Sequence, residues 1–113
     1  MNQVIFVGRL VSDPQKTTLE SGKTAATITV AVNRNFKNKD GIYETDFIDC
    51  VLWDDIARNT IEYCRRGDTI GIKGRLQCMP EDDGDGHMIN KKLEVVTERV
   101  TFLNSRHNDT DNA

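Results

Sequence analysis

The chain has 113 residues, of which 37% are hydrophobic and 29% charged, and a formal net charge of −3. One domain fits that length, and 28 Ile, Leu, Val and Phe residues supply a packed core, which excludes wholesale disorder. The longest apolar run is four residues, Val4–Val7, so a spanning helix of about 20 residues is excluded, and net acidity taken alone argues against nucleic acid.

Ile, Val and Thr make up 29 residues, and apolar residues recur at a period of two. An opening strand is predicted over Gln3–Val11, with Gly8 as a bulge where a barrel strand bends, and Asp13-Pro14 ends it. Ser21-Gly22 marks a turn. In Ala25–Asn35, Ala26, Ile28, Val30 and Val32 share one face while Thr27, Thr29, Ala31, Asn33 and Asn35 take the other, as in a half-buried strand. Asp40-Gly41 is the tip of the hairpin that follows. The next strand, Thr45–Trp53, places Ile48, Cys50 and Leu52 toward the core. Phe47, Asp49, Val51 and Trp53 take the opposite face, so two large aromatics project outward, six residues or ~20 Å apart at ~3.3 Å per residue.

One helix is predicted over Asp55–Arg66, with Ile56, Ala57, Thr60, Ile61, Tyr63 and Cys64 on its packing stripe. Asp54 and Asp55 suit its positive end, Arg65 and Arg66 its negative end, and Gly67 the residue beyond it. A strand over Thr69–Gln77 turns Ile70, Ile72 and Leu76 inward and Lys73 and Arg75 outward. A hairpin loop is expected over Pro80–His87, and closing strands are built from Leu93, Val95, Val100, Phe102 and Leu103. The domain thus spans 1–103, with a polar, disordered tail over 104–113. Five strands with one helix between the third and fourth, and an extended hairpin between the fourth and fifth, predict an all-β, five-stranded OB-fold barrel. A β-sandwich is the rival, but it has no need of the helix.

Splitting the chain relocates its charge. Residues 1–78 carry 11 Lys or Arg against 10 Asp or Glu, whereas residues 79–113 carry four against eight. The acidity sits in Glu81-Asp82-Asp83-Gly84-Asp85-Gly86 and the tail, which leaves room for a local basic groove. OB barrels bind oligonucleotides or oligosaccharides, and single strands are held by stacking bases on aromatics at about 1–3 kcal/mol per base. The candidate platforms are Phe36, Phe47 and Trp53. Phe36 lies in Asn33-Arg34-Asn35-Phe36-Lys37-Asn38-Lys39, an aromatic among cations that can stack a base and hold phosphates. The alternative is a ring tucked under a loop, and Trp53 could instead plug the barrel end or a subunit contact. Lys73 and Arg75 suit phosphate neutralisation, or plain solvation.

No GxSxG, HExxH or P-loop pattern is present, and His87 and His107 fall in a loop and the tail, so no catalytic residue is expected. Cys50 and Cys64 face the core and Cys78 ends a strand, which makes them structural thiols. Three cysteines without a CxxC pair fit a reducing cytoplasm, and the opening Met-Asn-Gln-Val shows no secretory signal. The 81–86 stretch is similar to the start of an EF-hand loop, but Glu81 replaces the leading Asp and Lys92 occupies the twelfth position. A solvated hairpin tip is the reading; no metal and no cofactor is expected.

The motifs together resemble the bacterial single-stranded DNA-binding protein family. The resemblance is carried by Asn2-Gln3-Val4-Ile5-Phe6-Val7-Gly8-Arg9-Leu10 with Asp13-Pro14, by Ala31-Val32-Asn33-Arg34-Asn35-Phe36-Lys37, and by Thr45-Asp46-Phe47-Ile48-Asp49-Cys50-Val51-Leu52-Trp53. Tyr63-Cys64-Arg65-Arg66-Gly67 and Gly71-Ile72-Lys73-Gly74-Arg75-Leu76 extend it over about residues 2–103. It implies an OB-fold that coats single-stranded DNA without sequence preference, is associated with the nucleoid in the cytoplasm, and assembles as a homotetramer, a dimer being the alternative. The family's stacking aromatics fall on Phe36, Phe47 and Trp53. Arg34, Lys37, Lys39, Lys73 and Arg75 are the phosphate ligands this reading assigns.

The departures are specific. Thr17-Thr18 stands where the family commonly has Arg-Tyr, and Gln77-Cys78-Met79-Pro80-Glu81 replaces a basic and aromatic continuation. Weaker binding or a shorter wrapped length is expected. The chain ends Asp111-Asn112-Ala113 rather than in the family's linker and acidic Pro-Phe tip, so tail-mediated recruitment is not expected and a short paralog is predicted. The runner-up function is a primosome-like adaptor that works through protein contacts with weak DNA affinity.

Overall fold

The computed structural model describes residues 1–82, 84–86 and 88–103, without the side chains of 79–82 and 88–91. The predicted tail over 104–113 and part of the acidic hairpin tip lie outside the described residues. Six strands and one helix follow in the order β1 (Val4–Leu10), β2 (Gln15–Thr18), β3 (Thr24–Lys37), β4 (Tyr43–Trp53), α1 (Asp54–Tyr63), β5 (Thr69–Asp82) and β6 (Met88–Phe102). Hydrogen bonding runs β1-β5-β6-β4-β3, and β3 returns to β1 through Arg9↔Ala31 and Leu10↔Val30. The five long strands therefore close into the predicted all-β barrel. Its β4–β6 seam is parallel and consists of Cys50↔Val95 and Val51↔Val96, the remaining neighbours being antiparallel. This is an OB-fold.

The period-two pattern works because alternate side chains leave a strand on opposite faces. Ala26, Ile28 and Val30 from β3 meet Cys50 and Leu52 from β4 inside the barrel, with Ile70 and Ile72 from β5 and Val95 from β6. Leu10 and Ala57 seal this core, and each fully buried aliphatic side chain contributes about 1.5–3 kcal/mol.

Several boundaries differ from the sequence reading. β2 was not predicted: all four of its residues are exposed, so it carries no apolar signal, and it pairs with the first part of β3. Counting it moves α1 from between the third and fourth strands to between the fourth and fifth; among the five barrel strands its place is as predicted. The helix stops at Tyr63, three residues early, where the Cys64 N–H donates to Thr60 O and the Arg65 side chain donates to the carbonyls of Ile61 and Cys64. Arg65 thus serves the negative helix end from just outside it. The hairpin strands reach Asp82 and Met88, so Pro80 sits inside β5 rather than in the loop, beside a register shift that accommodates its missing N–H. Cys78 is consequently within β5, not at a strand end.

Gly8 is not a bulge. The β1–β5 register runs unbroken from Val4↔Gly74 to Arg9↔Thr69. A Cβ on Gly8 would lie 2.4 Å from Ala31 O and 2.6 Å from Val30 Cγ1, so glycine lets β3 cross over β1 where the barrel closes. Gly74 has the same role against β6, 2.4 Å from Val96 O, next to the shift that leaves Glu98 unopposed between Lys73↔Arg99 and Gly74↔Thr97. Among the described residues no helix is long and apolar enough to cross a membrane.

Candidate nucleic-acid interface

The β3–β4 hairpin carries Arg34, Lys37 and Lys39 together with Asp40, Glu44 and Asp46. Its register is regular from Ala25↔Trp53 to Asn33↔Thr45, then shifts so that Lys37 faces Tyr43 and Arg34, Asn35 and Phe36 oppose Glu44 alone. That bulge carries Phe36 past the barrel rim, and 62% of it is exposed, so the ring is not tucked under a loop. Asn38 closes the turn by accepting the N–H groups of Asp40 and Ile42 on its side-chain oxygen, at 2.9 and 3.0 Å, with Gly41 at a φ of 78°. Lys37 Nζ lies 5.6 Å from the Tyr43 ring centroid, a cation–π contact, and Lys39 is exposed at the tip.

Phe47 and Trp53 project from the outer face of β4, opposite Ala31 and Ala25. Phe47 is 66% exposed and Trp53 39%. Small partners across the strand leave Phe47 largely open and Trp53 partly so. Trp53 is also the last strand residue before α1, where the chain turns through Asp54 at a φ of 52°, so its ring stands at the barrel rim.

Arg34 is already paired with carboxylates. Its Nε and Nη2 hold Asp46 at 3.1 and 2.9 Å, and its Nη1 reaches Glu44 Oε2 at 2.7 Å. The hydrogen bond and charge of Arg34 keep the Asp46 carboxyl below the usual carboxylate range, and the same contacts raise Arg34. A phosphate must therefore displace two carboxylates to use this guanidinium. Further along β4, Asp49 accepts the Thr29 hydroxyl at 2.8 Å and meets Lys92 Nζ at 3.2 Å; these contacts, the Thr29 hydrogen bond first, lower its pKa.

Lys73 and Arg75 point outward as predicted, but β6 separates their strand from β4, so they do not join the hairpin cluster. Lys73 pairs laterally with Ile5 on β1 and with Arg99 on β6, while Arg75 donates to Gln77 Oε1 at 3.0 Å. Two cations side by side across a ladder repel unless an anion lies over them, which suits phosphate. Arg99 was missed in sequence because the adjoining bulge breaks the alternation. Tyr43 lies two residues before Thr45, where the strand predicted from alternation begins. Leu76, predicted inward, is 42% exposed: β1 pairs with β5 only as far as Gly74, and past Leu76↔Val95, the last pair flanked by β4, β5 and β6 continue as a two-stranded ribbon.

Cys50 and Cys64 are buried, and burial pushes their thiols up to about 12 and about 11. Burial thus disfavours the thiolate at both positions near neutrality.

A family model described as the single-strand binding protein family matches residues 1–103. The chain belongs to that family. Among relatives, it is 41% identical over 113 residues to "Single-stranded DNA-binding protein 2" of Listeria monocytogenes, covering all of this chain and 70% of that one. It is 39% identical over 106 residues to "Single-stranded DNA-binding protein B" of Bacillus subtilis, covering 93% of this chain and 92% of that one. For the "Single-stranded DNA-binding protein" of Enterococcus faecalis the identity is 42% over 106 residues, with 94% and 56% covered.

Proposed function

We propose that this chain coats single-stranded DNA by stacking its bases on Phe36, Phe47 and Trp53 while Lys37, Lys39, Lys73 and Arg75 neutralise phosphates, with Arg34 recruited from its carboxylates. That the chain binds single-stranded DNA follows from its family. The observation that carries the mechanism is the pair of exposed rings on the outer face of β4: a strand gains nothing in water from two exposed aromatics, whereas every base offers a flat partner. Stacking reads no base edge, so binding is tolerant of sequence. Coating keeps the strand open and shielded during replication, recombination, repair or uptake of DNA. The role is binding without catalysis, in the cytoplasm and at the nucleoid. The adaptor reading is not favoured, since the family and the relatives are described by single-strand binding.

Self-association belongs to the same proposal. Ile5, Val7 and Leu103 are exposed together around a groove of about 230 Å³ on the outer face of β1 and β5. Burying it against a second copy forms a dimer, and pairing of dimers gives the tetramer; light scattering distinguishes the two.

The test is a titration of Trp53, the single tryptophan, with oligo-dT at low and moderate salt. Quenching that weakens with salt is expected from stacking plus counterion release. An unchanged Trp53 signal at low salt, with the protein folded, overturns the mechanism.

A further inference from the structure

The barrel is not sealed evenly. On the Phe47 side of Cys50↔Val95 the β4–β6 ladder has no further register pair, and a cleft of about 290 Å³ opens between the two strands. Phe47 and Ile48 form one wall, and Leu76, Leu93 and Val95 the other. Leu93 is 60% exposed, although it belongs to a strand whose next alternate residue, Val95, lies in the core. Lys92 spans the mouth to Asp49 at 3.2 Å.

We infer that this seam is a nucleobase subsite, in which a base enters edge-first with one face on the Phe47 ring and the other against Leu76 and Leu93. The inference rests on the single-strand reading above and adds to it a second wall and two residues outside the assigned set. The lining decides the occupant. Phe47, Ile48, Leu76, Leu93 and Val95 give it apolar walls with one aromatic face, its volume lies just below the range of small-ligand pockets, and Asp49 and Glu94 at its margin repel a phosphate but not a neutral ring. Continuity with the exposed Phe47 platform places the cleft where a stacked strand passes.

The experiment compares the full chain with the Leu76→Ala/Leu93→Ala variant, using anisotropy of labelled oligo-dT across a salt series. Affinity is expected to fall about tenfold, within the range of one lost base contact, with the slope against log salt unchanged because no charge is removed. Affinity within twofold of the parent overturns the inference while leaving single-strand binding intact. A change in oligomeric state by light scattering makes the cleft a contact between copies, and also overturns it. Failure of the parent chain to bind oligo-dT overturns the single-strand reading and the subsite together. Cross-linking of the parent chain to 4-thiothymidine-substituted oligonucleotide checks the placement without any substitution. Adducts on the peptides carrying Phe47 or Leu93 are expected, and adducts confined to other strands count against the site.

Discussion

Arg34 grips both carboxylate oxygens of Asp46, its Nε donating at 3.1 and 3.3 Å and its Nη2 at 2.9 Å, within the segment expected to meet phosphates. The pair lies at the β3 bulge, where the register shift turns Arg34 toward β4 rather than outward. Both side chains are exposed, so water and salt screen the contact and a polyanion can compete for the guanidinium. The hairpin therefore holds one of its cations in reserve.

Releasing that cation has a measurable result. In a Glu44→Gln/Asp46→Asn variant, affinity for oligo-dT rises, and the slope of log K against log salt steepens by about 0.7, one extra phosphate on a single strand. The same changes in an Arg34→Ala background report lost repulsion alone. Equal gains in both backgrounds would show that Arg34 takes no phosphate.

Acid titration followed by carboxyl NMR gives a second check. Asp46 and Asp49 are both held below the ordinary aspartate value of 3.8, by hydrogen bonds from Arg34 and Thr29 first. A depressed folded pKa contributes stability that is present above the unfolded value and lost as pH falls through the folded one. Both resonances are expected to titrate below 3.8, and Arg34→Ala returns Asp46, but not Asp49, toward that value.

Gly8→Ala and Gly74→Ala each place a methyl 2.4 Å from a carbonyl oxygen of a crossing strand. Backbone, unlike a flexible side chain, cannot step aside, so a loss of about 2–3 kcal/mol or more is expected in urea unfolding. Gly84→Ala, with open space around its Cβ position, gives the contrast of a positive φ alone.

Asp54 begins α1 at a φ of 52°, a conformation that costs residues with a Cβ. Asp54→Gly is expected to stabilise the fold by up to about 1 kcal/mol, whereas Asp54→Val destabilises it. Thermal melts of the two variants should move in opposite directions.

Thiol labelling at pH 8 follows from burial. Cys50 and Cys64, raised to about 12 and about 11, stay unmodified in the folded protein, while the half-buried Cys78 reacts first. Rapid labelling of all three would contradict the packing of the barrel.

Much of this molecule was legible before folding. Alternation in Ala25–Asn35 and Thr45–Trp53 is a local property, so the inward set Ala26, Ile28, Val30, Cys50 and Leu52 and the outward rings Phe47 and Trp53 follow from a two-residue period. The helix follows from its apolar stripe, and the OB order from counting elements around it. What alternation cannot carry is registry between strands distant in sequence. That Gly8 is crossed by β3, that Leu76 lies beyond the last β1 pair, and that Arg34 meets Asp46 all depend on partners 10 or more residues away. The seam between β4 and β6 lies further still from any local signal, because it joins strands on either side of α1 and β5. Sequence by itself determined which faces are apolar and which rings are outside. Only the closed barrel decided which cations are already paired and where a gap remains between strands, since both depend on how hydrogen-bonded ladders from remote segments are brought into register.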